Sequence, residues 1–169
     1  MQSTIAGGGV QYLTFKLREE VFAFDIARVR EVLDFTTLTK VPNSQDFVLG
    51  VINLRGLVVP IVDLRLAFGM TKTEKTAATC VIIAEVAVNG ETSVLGMLAD
   101  SVNEVLNLEP DQIQPAPKIG TRLRTSFIAG LGKINEQFII VLDIDRVFSS
   151  AEISSVQRVQ SSLDARPVS

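Results

Sequence analysis

The sequence predicts an all-β protein of two small barrels on one plan, and three observations carry that expectation. Short apolar runs alternate with polar residues and are separated by turn signals, as in half-buried strands. Two blocks of sequence recur in the same order. Valine, isoleucine and leucine supply most of a 47 % hydrophobic fraction, aromatics only 6 %, and Trp is absent, a composition that suits β-rich packing. The 169 residues suffice for one ordinary domain, or for two small subdomains sharing a core.

The Gly-rich leader, residues 1–9, has neither the charged n-region nor the apolar h-region of a signal peptide and is expected to be flexible. Leu13, Phe15 and Leu17 then alternate with Thr14, Lys16 and Arg18, a strand pattern. The stretch FVLGVINLRGLVVPIVDL at 47–64 sets one arginine, Arg55, between two apolar runs. Burying it unpaired is costly, so it belongs in an ion pair or at an exposed turn. Arg-Gly suits a tight hairpin with Gly56 at positive φ and Arg55 projecting from the tip.

Pro60 cannot donate to a sheet ladder, which predicts an edge strand or a bulged corner for LVVPIV. Cys80, in TCVIIAEVAV, reads as a small buried apolar residue. As the only cysteine it can form no internal disulfide, which fits a reducing cytoplasm. Asn89-Gly90 is a hairpin signal. The prolines of LNLEPDQIQPAPKIG predict an exposed loop, and Ile153, Val156, Val159 and Leu163 predict a C-terminal amphipathic helix within a tail of residues 149–169.

The first repeated block pairs FAFDIARVREVL at 22–33 with LGMLADSVNEVL at 95–106, 73 residues on. The second pairs residues 47–68 with FIAGLGKINEQFIIVLDIDRVF at 127–148, 80 residues on. The copies define a domain at 10–148, with subdomains of about 10–70 and 78–148. Positions kept in both copies are expected to be framework, and positions where one copy departs sharply are candidates for a specialised surface.

Composition narrows the function. A net charge of −3 and a pI near 5.0, with no basic stripe, argue against a nucleic-acid partner. The chain has no histidine, which removes the commonest general base and metal ligand. No apolar run is long enough to insert directly in a membrane. The residues suggest no nucleophile, phosphate loop, metal or cofactor, and a non-enzymatic, cytoplasmic protein is the expectation.

The matched aspartates Asp63 and Asp143 invite a reading as an acid and base pair, but each follows an apolar strand where a carboxylate accepts from backbone N–H groups and starts a helical turn. Glu31 and Glu104 read as outward residues of half-buried strands. Glu31 has Arg28 and Arg30 beside it where the second copy has Ser101 and Asn103, a charged cluster in one copy only. Asn53, Leu54, Arg55 and Gly56 stand opposite Lys133, Ile134, Asn135 and Glu136, so the apolar flanks persist while the turn changes. An arginine with aliphatic neighbours makes an effective interface anchor, which points to docking.

Three segments, GVINLRGLVVPIVDLR at 50–65, VREVLDFTTLTKVPN at 29–43 and LGMLADSVNEVLNL at 95–108, resemble the CheW-like chemotaxis coupling proteins of bacteria over roughly residues 10–148. The resemblance implies two intertwined five-stranded SH3-like barrels, no catalysis and no cofactor. It implies an adaptor between the cytoplasmic tips of chemoreceptors, in membrane-bound arrays, and the regulatory domain of a CheA-type histidine kinase. Partner contacts in that family match Arg55, Gly50, Val29 and Glu31 here, with Gly96 and Val105 in the second barrel. A regulatory CheW-like module of a larger signalling protein is the alternative.

Overall fold

The computed structural model describes residues 9–35, 38–40, 47–68, 70–88, 90–115 and 127–147. The tail at 149–163, where the amphipathic helix is expected, lies outside the described residues, as does most of the leader. The described residues are mostly β, as expected, in two sheets, with only short helical turns between strands.

The first copy supplies β1 (Val10–Leu17), β2 (Glu20–Asp25), β3 (Val29–Asp34), β4 (Val48–Leu54) and β5 (Leu57–Asp63). The second supplies β6 (Cys80–Val88), β7 (Glu91–Ala99), β8 (Ser101–Leu108), β9 (Ile113–Gln114), β10 (Ile128–Ile134) and β11 (Gln137–Leu142). The sheets do not follow the copies. One has the order β8-β1-β2-β11-β10-β9, the other β3-β6-β7-β5-β4. Each copy lends its first hairpin to the other's remaining strands, and the join is the same parallel pairing in both sheets, β11 on β2 and β5 on β7. This exchange is the intertwining. It places Gly96 on β7, in the five-stranded sheet with Arg55, and so corrects its expected position in the second barrel.

The symmetry extends to irregularities. β4 shifts register between Val48 and Gly50, and β10 shifts between Ile128 and Gly130, 80 residues on. The Thr39–Val51 bridge in one half matches the pairing of Gln114 with Leu131 in the other. The Cβ that Gly50 lacks would lie 2.4 Å from the Thr39 carbonyl oxygen, and that of Gly130 2.8 Å from the oxygen of Gln114. A neighbouring backbone occupies the side-chain space, which explains why both copies carry glycine there.

Alternation builds three apolar layers. In β6, Val81 and Ile83 face the interior of the five-stranded barrel, while Ile82, Ala84 and Val86 join the largest cluster, between the barrels. β2 divides likewise, Val21 and Ala23 to its own barrel and Phe22 and Phe24 to the shared core. These strands are buried on both faces, so their sequences read as nearly continuous apolar runs. Phenylalanines fill the shared core: Phe15 stacks on Phe24 at 5.0 Å, and Phe68 stacks on Phe127 at 4.6 Å.

Several local expectations need correction. Pro60 is not on an edge strand, since β5 lies between β4 and β7; the pairing with β7 begins only at Ile61, so the ladder on that side has not started at the proline. The predicted loop after β8 contains a turn at Pro110–Gln112 and the two-residue β9, which pairs with β10. Cys80 is only half-buried, its thiol donating to the Ala78 carbonyl at 3.1 Å. Asp63 and Asp143 behave as caps: Asp63 accepts from Arg65 N–H at 3.0 Å and starts the short helix α1 (Leu64–Ala67), and Asp143 accepts from Asp145 N–H at 3.1 Å.

Candidate functional site

The β4–β5 hairpin turns in two residues, since Leu54 pairs with Leu57 across Arg55 and Gly56. Both turn residues have positive φ, 52° and 89°, the geometry whose twist matches paired strands. The Asn53 side-chain oxygen accepts from the Gly56 N–H at 2.8 Å and braces the turn. The β10–β11 hairpin repeats the conformation at Asn135 and Glu136, φ 50° and 66°. The backbone of the turn is therefore common to both barrels, and the arginine belongs to one.

Arg55 has a partner. Its guanidinium donates to the carboxylate of Glu31 on β3, with the Arg55 side chain 71 % exposed and that of Glu31 29 %. β3 and β4 are the outer strands of the five-stranded sheet, so the ion pair joins its two edges. Leu33 and Leu54 share the cluster beneath. Glu31 is thus drawn partly inward and holds Arg55 at the tip, where Leu57 is 39 % exposed. The result is a tethered cation beside aliphatic surface.

The presumed cluster around Glu31 separates into three ion pairs. Arg30 reaches Glu85 on the neighbouring β6 at 2.8 Å. Arg28 reaches Asp145, with Nη1 donating to one carboxylate oxygen at 2.9 Å and Nη2 to the other. That bond is the main reason the Asp145 carboxyl is held below its ordinary range and the Arg28 guanidinium is raised above its own. Burial, then Asp25, push the nearby Tyr12 hydroxyl upward.

Other predicted positions separate into surface and interior. Val105, on β8 of the six-stranded sheet, is 47 % exposed, and Val32, its counterpart on β3, is also exposed. Val29 is half-buried and packs on the shared core. Gly50 is closed off by Thr39, and the Cβ that Gly96 lacks would meet Ile61 at 2.3 Å and Val81 at 2.8 Å. Gly56 has nothing within 4 Å of that position. Arg55, Glu31, Asn53, Leu54 and Gly56 gather at one end of the five-stranded barrel, whereas the two buried glycines shape its wall.

Reasoning along the chain missed one pair of contacts. Arg65 bonds the Asp100 carboxylate, both largely buried, and that carboxylate also accepts from Arg18 N–H at 2.6 Å. In the other half Asp145 bonds Arg28 and accepts from Ala87 N–H at 2.8 Å. Positions 65 and 145 match in the repeat, and Asp100 lies one residue before Ser101, the counterpart of Arg28, so the two junctions carry ion pairs of reversed polarity at matched or adjacent positions. The signal was present as Arg65 opposite Asp145. Sharp departure between copies does not always mark a specialised surface.

A family model described as a CheW-like domain matches residues 11–152. The chain is 37 % identical over 154 residues to the chemotaxis protein CheW of Klebsiella aerogenes, covering 91 % of this chain and 90 % of that protein. It is 36 % identical over 148 residues to the chemotaxis protein CheW of Rhizobium meliloti, covering 88 % and 93 %. The crystal structure of the scaffolding protein TtCheW from Thermoanaerobacter tengcongensis superposes with a TM-score of 0.75 at 32 % identity, over 85 % of this chain and 95 % of that one. No helix among the described residues is long and apolar enough to cross a membrane. The exchanged sheets and these likenesses agree: the chain belongs to the CheW-like family of chemotaxis adaptors.

Proposed function

We propose that the chain couples the cytoplasmic tip of a chemoreceptor to the regulatory domain of a CheA-type histidine kinase through protein contacts, without catalysing a reaction. It acts in the cytoplasm and is recruited to membrane-bound receptor arrays. The observation that carries this reading is the Arg55 tip, a cation aimed by Glu31 and flanked by exposed Leu57. A helical receptor tip would set apolar residues against the aliphatic surface and an acidic or carbonyl group on Arg55. Val105 and the hairpin residues Asn53, Leu54 and Gly56 belong to the proposed contact surfaces, and Gly50, Gly96 and Val29 support them from within.

The test is Arg55→Ala, with its melting temperature compared with that of the natural protein, and affinity measured for a receptor cytoplasmic fragment and for the kinase. Loss of about 1–2 kcal/mol toward one partner, roughly five- to thirtyfold in Kd, is expected for an interface anchor. Unchanged affinity for both partners with normal kinase stimulation would overturn the role of Arg55.

A further inference from the structure

We propose that the end of the five-stranded barrel opposite the Arg55 tip binds a small organic anion with an apolar body, an alkyl or aryl carboxylate. A cavity of about 380 Å³ opens there, within the size range of small-molecule sites. Phe35, Leu38, Leu49 and Leu98 form its apolar wall, and Leu98 belongs to the barrel interior. Lys40, Lys72 and Lys75 complete the lining; all three are exposed, and none makes an ion pair among the described residues. The Lys75 ammonium lies 4.4 Å from the Phe35 ring centroid, which places one cation directly over the apolar wall.

The lining contains one carboxylate, Asp63, and its oxygens are engaged. Oδ1 accepts from Arg65 N–H at 3.0 Å and from the Thr73 hydroxyl at 2.8 Å, and Oδ2 accepts from Thr73 N–H at 2.9 Å. Three cations against one committed anion make the site locally positive on a chain of net charge −3. A ligand that satisfies both features presents a carboxylate to the lysines and a hydrocarbon body to the leucines and Phe35. Inorganic phosphate would leave the apolar wall unused, and an uncharged hydrocarbon would leave the lysines unused. The cavity lies beside Leu49 and Asp63, far along β4 and β5 from the hairpin tip, so the proposal is independent of the docking role of Arg55.

Isothermal titration of the full chain with octanoate, octanol and acetate tests the site, alongside amide shift mapping by NMR. Octanoate is expected to bind one to one with Kd on the order of 0.1–1 mM, and octanol and acetate at least about tenfold more weakly. Shifts should concentrate at Leu38, Leu49 and Leu98. The exposed-lysine variant Lys40→Gln/Lys72→Gln/Lys75→Gln, with an unchanged melting temperature, should lose at least about tenfold in octanoate affinity. The proposal is overturned by no binding up to about 10 mM octanoate, by equal affinity for octanol, or by octanoate binding that survives in the triple variant.

Discussion

Two glycines that look alike in the sequence do different work. Gly56 sits in open space at φ 89°, so Gly56→Ala places a side chain in the left-handed region at a cost of about 1 kcal/mol. Gly50→Ala drives a Cβ into the backbone of Thr39, an overpacking cost of roughly 1–3 kcal/mol or more. Urea titrations of both variants should show the larger loss at Gly50, with any binding defect there following the fraction unfolded. Equal losses would contradict the close approach at Thr39. Arg55 and Glu31 illustrate the limit of reading along the chain: the turn around Arg55 was legible, but its partner 24 residues earlier was not, because curling of the sheet brings β3 to β4.

Among the elements, the two reversed ion pairs make the sharpest prediction. Breaking the largely buried Arg65–Asp100 pair with Arg65→Met leaves an uncompensated carboxylate and should cost about 3 kcal/mol in urea unfolding. Arg28 and Asp145 are more exposed, so solvent screening reduces their contribution to about 1 kcal/mol. The double change Arg65→Asp/Asp100→Arg copies the polarity of the other junction and should recover part of the loss in Arg65→Met. Stability no better than that of the single variant would refute their equivalence.

The Arg28–Asp145 pair also predicts a pH dependence. Its carboxyl is lowered in the native state, so its contribution is complete above the ordinary value of 3.8 and disappears as pH falls through the lowered native value. The stability gap between the natural protein and Asp145→Asn should therefore be full at about pH 7 and narrow below about pH 3.8, read from urea midpoints at each pH. A gap independent of pH would remove the electrostatic explanation.

For the whole molecule, the exchanged hairpins and the phenylalanine-rich layer predict that the barrels unfold as one cooperative unit. Neither barrel is built from one contiguous half of the chain, and the largest apolar cluster lies between them. Tyr12 packs in the six-stranded barrel and Cys80 begins β6 of the five-stranded one, which provides one probe for each. Tyrosine fluorescence and thiol reactivity should give the same urea midpoint, and Phe22→Ala should lower both together by about 3–5 kcal/mol in stability. Separate midpoints would show two independently stable barrels.

The strands, the two-residue hairpins and the Asp63 and Asp143 caps were readable from residues alone, because alternation, Arg-Gly and Asn-Gly turns and carboxylate caps act over a few neighbouring positions. The repeat was readable too, down to its matched glycines. Long-range closure decided the rest: which copy each hairpin joins, why Gly50 and Gly130 admit no side chain, and how Glu31 meets Arg55. Those outcomes depend on backbones and charges distant in sequence meeting in space, and local patterning along one chain does not encode which of several equivalent strand edges will meet.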